Sequence, residues 1–482
     1  MTTNKATPMK ATLGTLALAA SLIGMAGQAQ AAATIVINNI NAAGIGFNDT
    51  TPATPVGGNT GTTIGQQRLI AFTHAANIWG ATLTSNQPII INAQFSALAC
   101  TTTTATLGSA GTTSVFRNFA NAPKANTWYS YALANKIAGA YLGTANAAQI
   151  NANFNVNLGN TGCLDGQGWY LGLDSKHGAA ETDFVVTLLH EMAHGLGFQT
   201  FTSGTTGAYN SSYPSVWDHY LMGTVTGLTW NNMTAAQRAA SAISVDKLVW
   251  SGPLVTAAVP SVLRQGVAGV VISGSSAGTA AGSYAAGEAS FGGPLTQGGL
   301  TAVVMPVVTA AGALDLACDT FSAANALAVK GNIALLSRGT CGFAIKVKNA
   351  QNAGAIGVLI ADNAAGAPAG LGGTDDTITI PSVRIEQAAG AKLLTQLAKR
   401  TRTSSGVVAT LGLYGTQYAG ADAAGRIMMY APNPFVSGSS VSHFDTTAFR
   451  NQLMEPAING DLTHNVIAPY DLTYLLLQEI GW

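Results

Sequence analysis

Charge is scarce in this sequence. Asp, Glu, Lys and Arg make up 9% of its 482 residues, against about 25% in an average soluble chain. Lys and Arg number 21, Asp and Glu number 21, and the formal net charge is zero. Without a basic excess to neutralise phosphate, the balance argues against a nucleic-acid binder and against a polybasic membrane-surface protein. It also argues against disorder, because disordered chains are polar and charge-rich and 48% of these residues are hydrophobic. Glutamate is the scarcer acid, six against fifteen Asp, so a motif that includes one uses a rare residue. Cysteine is confined to Cys100, Cys163, Cys318 and Cys341, with no CxxC pair, which argues against a thiolate zinc site.

Long apolar runs are lacking beyond the N-terminus. Residues 1–31 read as a secretory signal peptide: Lys5 and Lys10, an uncharged run over 11–27, then Ala29-Gln30-Ala31 as a small-x-small cleavage site. The run is too short and too diluted by Gly and Thr to favour a membrane anchor. The expectation is a secreted, extracellular chain beginning near Ala32. In an oxidising compartment four cysteines favour two disulfides. The local pairings, Cys100–Cys163 and Cys318–Cys341, keep each bridge inside one expected domain.

Residues 34–40 and 88–95 read as strands, and 66–83 as a helix with Leu69, Phe72, Ala76 and Trp79 at helical spacing. Residues 44–65 read as a long loop or arm, and 153–158 as another strand. From 332 to 397 strand and helix patterns alternate: strands at 332–336, 355–360 and 377–380, helices at 343–353 and 387–397. Residues 426–430 read as a strand, and Asp471 as the cap of a final helix over 472–479.

The most informative stretch is His190-Glu191-Met192-Ala193-His194. Asp183 offers an N-cap before it, and Gly195 and Gly197 offer a stop after it. On a helix, positions i and i+4 share a face, so both imidazoles can address one ion, and neutral imidazole suits Zn2+. Glu191 is placed to act as general base on a metal-activated water. A third protein ligand is needed. Thr200 stands six residues after His194 and is a poor ligand, and no Glu occurs between Glu191 and Glu288. Asp218, His219, His443 and His464 remain. His443, in Ser442-His443-Phe444-Asp445, is favoured because Met454 follows in Leu453-Met454-Glu455-Pro456 and can supply an apolar, polarisable floor. Asp218 with His219 is the rival. His74, His177 and His464 receive no role.

HEMAHGLGF at 190–198, SHFD at 442–445 and LMEP at 453–456 resemble the leishmanolysin-type metzincin metallopeptidases. The resemblance implies a zinc-dependent endopeptidase acting on protein or peptide substrates. His190, His194 and His443 would be the ligands, Glu191 the catalytic base and Met454 the Met-turn. That group's latency through a propeptide cysteine has no counterpart here, since no cysteine lies near the expected mature N-terminus.

The gap of about 250 residues between His194 and His443 is too long for a structureless loop. IALLSRGTCGFAIKVKNAQNAGAIGVLIADN at 333–363 and IPSVRI at 380–385 resemble a protease-associated (PA) domain. Such a domain carries no catalytic residues. The resemblance implies a lid, a substrate-recruiting surface or a spacer. The expected fold is α+β, with a discontinuous metzincin-like zinc-protease catalytic domain formed by 32–266 and 422–482, and an inserted α/β PA domain over 267–421. The alternative is a non-catalytic secreted binding or adhesion protein on the same fold, with the PA domain as its interaction module.

Overall fold

A computed structural model describes residues 31–482 apart from 179, 374 and 376. The expected signal segment, except Ala31, lies outside the described residues.

Alternation of apolar and polar residues produces the first sheet. Ile89–Ser96 buries every second side chain, turning Ile89, Ile91, Ala93 and Phe95 inward. Its neighbours place the strands in the order Ile35–Asn39, Ile89–Ser96, Ile150–Asn155, Gly108–Thr112. The first three are parallel. Gly108–Thr112 is antiparallel to Ile150–Asn155 and forms an edge. The helix Ile64–Thr82 begins where the Thr63 side chain accepts the Gln66 N–H. It packs on a second helix, Phe184–Leu196, where the Trp79 indole donates to Leu189 O at 3.1 Å.

Phe184–Leu196 is buried at every position, so it runs through the core rather than along the surface. Asp183 Oδ1 accepts the Val186 N–H at 3.1 Å and starts it. Gly197, at φ +124°, stops it with its N–H bonded to the Ala193 and His194 carbonyls. The last sixty residues close the same core: Ile427, Phe444, Met454, Leu476 and Ile480 cluster with Phe72, Trp79, Phe154, Phe184 and Leu189. The Trp482 indole donates to Leu196 O at 2.8 Å, fastening the chain end to the helix end.

The intervening chain builds an eight-stranded sheet with cores of its own. The order is Gly282–Ala285, Gln265–Ser273, Val408–Tyr418, Leu300–Pro306, Ile333–Ser337, Gly357–Ala361, Ser382–Ile385, Gly287–Glu288. Leu300–Pro306 through Ser382–Ile385 are parallel. Strands covered on both faces read as continuous apolar runs: Ile333, Leu335 and Leu359 face one core while Ala334, Leu336, Val358 and Ile360 face the other. Disulfides join Cys100 to Cys163 and Cys318 to Cys341, the local pairings expected from the sequence.

Several local expectations need correction. Residues 377–380 are not a strand. The strand is Ser382–Ile385, just beyond Pro381, which has no N–H for a ladder. Residues 426–430 form isolated bridges (Ala421 with Ile427, Val249 with Met428, Met429 with Phe444) rather than a strand, because each pairs with a different partner. The last helix, Thr473–Ile480, has Leu472 at its N-cap; Asp471 sits one residue earlier and accepts the Thr473 N–H at 2.7 Å. The 44–65 stretch is tied down by the bridges Pro52–Thr63 and Val56–Asn59. Gln265–Ser273 and Val408–Tyr418 were not legible in the Ala/Gly/Val-rich composition around them.

Candidate metal centre

One helical turn separates His190 from His194, and their ring centroids lie 4.9 Å apart. His443 arrives from the C-terminal stretch, its carbonyl held by the Tyr430 N–H at 2.9 Å. His443 Nε2 is 3.2 Å from His194 Nε2 and 3.3 Å from His190 Nε2. The three ligand atoms fall within 4.8 Å of one another, and all three residues are buried.

Each ring is oriented from behind by a main-chain carbonyl. His190 Nδ1 bonds Leu453 O at 2.7 Å, His194 Nδ1 bonds Phe198 O at 2.8 Å, and His443 Nδ1 bonds Ser439 O at 2.7 Å. A carbonyl oxygen only accepts, so each Nδ1 carries the proton and each Nε2 presents a bare lone pair. Burial disfavours a second proton, holding His190 down to about 4 and His194 to about 3. Burial, then the neighbouring His194 and His190, hold His443 well below the usual imidazole range. The His443 lone pair faces those of His194 and His190 at 3.2 and 3.3 Å, and bare lone pairs cannot hydrogen-bond among themselves. A cation between them removes the conflict, and nitrogen donors of this kind suit zinc.

Glu191 is 7% exposed. Burial pushes its carboxyl up to about 8, opposed by a hydrogen bond from the Ala110 backbone N–H. Ala110 lies on the edge strand Gly108–Thr112, which packs against this helix. Strand and carboxylate are so close that a Cβ on Gly108 would lie 3.1 Å from Glu191 Cγ and Oε1.

Met454 is fully buried, and its carbonyl accepts the Phe444 N–H at 2.8 Å. Asp471 Oδ2 accepts the Leu453 N–H at 2.6 Å, and Gln452 Oε1 accepts the Leu472 N–H at 3.0 Å. The final helix therefore anchors the turn whose Leu453 carbonyl orients His190.

The rival pair sits elsewhere. Asp218 is fully buried and accepts from Thr200 Oγ1 at 2.8 Å, Thr202 Oγ1 at 2.6 Å and the Ser215 N–H at 2.7 Å. It braces the loop that follows the site helix. His219 Nε2 faces Thr127 Oγ1 at 3.2 Å. His464 Nε2 contacts Asp183 Oδ2 at 3.0 Å and so steadies the helix cap, with the His74 ring beside it. Sequence reasoning missed Gly108, Ala110 and the three orienting carbonyls. The carbonyls leave no mark in residue identity.

A cleft of about 990 Å³ opens between the inserted unit and the C-terminal stretch, lined among others by Arg264, Tyr284, Glu288, Tyr414, Met428 and Phe449. None of the three histidines nor Glu191 lines it, so it is separate from the metal centre.

The PA-domain family model matches residues 293–393, which include the four parallel strands from Leu300–Pro306 to Ser382–Ile385. A curated relative, an ER degradation-enhancing alpha-mannosidase-like protein 3 from Xenopus laevis, is 46% identical over 66 residues, 12% of this chain and 7% of that protein. Among solved structures, an aminopeptidase from Aneurinibacillus sp. strain AM-1 is 24% identical over 32% of each chain, with a TM-score of 0.23. BSAP, a zinc aminopeptidase from Bacillus subtilis, is 24% identical over 33% of this chain and 36% of its own, with a TM-score of 0.22. The chain thus spans about a third of these aminopeptidases and 7% of the mannosidase-like relative. At TM-scores of this size neither fold nor activity carries across.

Proposed function

We propose that the protein is a secreted zinc metalloendopeptidase of metzincin-like type. Its catalytic domain is assembled from residues 32–266 and 422–482, with a PA domain over 267–421 between them. The observation that carries this reading is the convergence of His190, His194 and His443 Nε2, with Glu191 buried on the same helix as the first two. The three histidines would hold the zinc. When bound, zinc supplies Lewis acidity, polarising the scissile carbonyl and favouring deprotonation of the attacking water.

The remaining work falls to the chain. Glu191 takes the proton of the attacking water and returns it to the departing amine. Burial raises its proton affinity to suit that exchange near neutral pH. The Ala110 N–H on the edge strand favours the charged carboxylate against the effect of burial. The free edge of Gly108–Thr112 offers main-chain groups to an extended peptide. The paired Nδ1 contacts keep all three imidazoles neutral and pointed inward. Secretion accords with two disulfides, and among the described residues no helix is long and apolar enough to cross a membrane.

The test is metal content of the purified protein together with casein cleavage blocked by a chelator and restored by zinc. Glu191→Ala is expected to abolish cleavage while zinc still binds. Cleavage that survives in that variant would overturn the mechanism. A protein that binds zinc but cleaves nothing would return the reading to a binding module.

A further inference from the structure

Arg264 lies at the seam between the two units. It follows the helix Pro253–Val262 and immediately precedes the sheet strand Gln265–Ser273. Its N–H donates to Phe449 O at 2.7 Å, and its carbonyl accepts the Ala419 N–H at 2.9 Å, where the chain leaves the inserted unit. Its guanidinium lies over the Phe449 ring, 3.9 Å from the centroid. Nη1 donates to Glu288 Oε1 at 2.9 Å and Nη2 pairs with Glu288 Oε2. Glu288 belongs to the inserted sheet. Among the ion pairs of the described residues, this one joins the two units, and both side chains are largely withdrawn from solvent. A two-toothed, partly dry pair of this kind fixes direction as well as distance.

Phe449 sits in the segment that runs from His443 to Met454. On one side, a tight turn leads back to His443: the Thr447 N–H and Oγ1 both reach Asp445 Oδ1, and the Ala448 N–H reaches Asp445 O. On the other, Gln452 and Leu453 are clamped by Glu455 and Asp471, and the Leu453 carbonyl holds His190. The middle of this segment is gripped by Arg264 from the inserted side.

We propose that Arg264 is a positioning residue for the metal centre: held by Glu288 of the inserted unit, it fixes Phe449 and with it the 443–454 segment that carries His443 and orients His190. The inserted domain is then part of the scaffold of the metal site and not a spacer. This rests on His190, His194 and His443 being the zinc ligands. Loss of an outer partner of a metal ligand lowers affinity by about 10–100-fold, and one partner further out is expected at the lower end.

The experiment uses the full chain with zinc as the probe. Zinc affinity is measured by competition with a chromogenic chelator for wild type, Arg264→Met, Arg264→Lys, Glu288→Gln and Arg338→Met, with kcat and KM on a short fluorogenic peptide alongside. Arg338 pairs with Asp362 inside the inserted unit and controls for loss of an ion pair as such. The expected result is about a 10-fold loss of zinc affinity in Arg264→Met and Glu288→Gln. Partial recovery is expected in Arg264→Lys, wild-type affinity in Arg338→Met, and a fall in kcat with KM held. If Arg264→Met does not fold, as judged by far-UV circular dichroism, the milder Glu288→Gln decides alone. Lower thermal stability with wild-type zinc affinity overturns the proposal, since that is a structural role only. Wild-type protein that takes up no zinc overturns the ligand assignment and this inference with it, whereas normal wild-type binding with unaffected variants overturns this inference alone.

Discussion

His194 Nε2 and His443 Nε2 lie 3.2 Å apart although 249 positions separate them along the chain. The whole inserted sheet lies in that interval. Folding therefore has to return the chain to the helix end before the third imidazole can arrive, and the shared core of the two outer stretches provides that return.

Removing that imidazole is expected to undo the centre. His443→Ala should lower zinc affinity by more than the about 100-fold that marks the upper range for outer partners, since a ligand itself is lost. His219→Ala should leave zinc affinity unchanged, because His219 is engaged with Thr127. Chelator competition titrations of both variants check this. A loss in His219→Ala equal to that in His443→Ala would transfer the third position to the rival pair.

Asp471 gives a second expectation. Its two carboxylate oxygens accept the Leu453 and Thr473 N–H groups at 2.6 and 2.7 Å from a fully buried position. An amide can accept with one atom only, so Asp471→Asn leaves a buried donor facing an NH2 group. The expected cost is about 1–3 kcal/mol of stability, together with weaker zinc binding, because Leu453 O orients His190. Urea denaturation in chelator isolates the first effect and titration with zinc the second. Stability equal to wild type would show that the turn is held by other contacts.

What could be read from the amino-acid order was local. The 190–194 motif needs only i,i+4 geometry, a cap at Asp183 and a stop at Gly197, all set within one helix. The parallel strands around 333 and 357 announced themselves as apolar runs. Gly108–Thr112 did not, because GSAGT has no alternation and becomes a strand only through its register with Ile150–Asn155. Residues 377–380 carried the right β-branched composition but stand before Pro381, and pairing starts after it. Asp471 reads as a helix cap, whereas one of its oxygens reaches eighteen residues back to the turn. Leu453, Phe198 and Ser439 act through carbonyls, for which any residue type serves.

Glu191 should make the metal-free protein sensitive to pH in a defined direction. Its folded pKa is raised to about 8 from 4.5. Between those values the unfolded chain has released the proton and the folded chain retains it. The unfolded state then binds fewer protons, so this group's contribution to stability falls as pH rises, by about 1.4 kcal/mol per unit for one proton. Glu191→Gln removes the titration. In chelator, the variant's melting temperature relative to wild type should climb between about pH 4.5 and 8 and level off above. A constant offset between pH 5 and pH 8 would show that the carboxyl ionises normally in the folded protein.

The last expectation concerns a residue with no side chain. A Cβ at Gly108 would stand 3.1 Å from Glu191 Cγ and Oε1 and 3.1 Å from Phe154 Cδ1. Phe154 is fully buried against Phe72, Phe95 and Phe184 and cannot yield. Glu191 is the flexible partner, so Gly108→Ala should displace its carboxylate by a few tenths of an ångström. Misplacement by a full ångström can cost about 100-fold in rate, so a loss of about 10-fold in kcat is expected for the smaller shift. Zinc content should be unchanged, because the atoms nearest this position belong to Glu191 and Phe154 and to none of the three histidines. Steady-state kinetics on a short peptide, with metal analysis of the same preparation, separate the two quantities. A wild-type kcat would mean that the edge strand does not set the position of the base. Lost zinc would mean that the strand supports the ligands themselves.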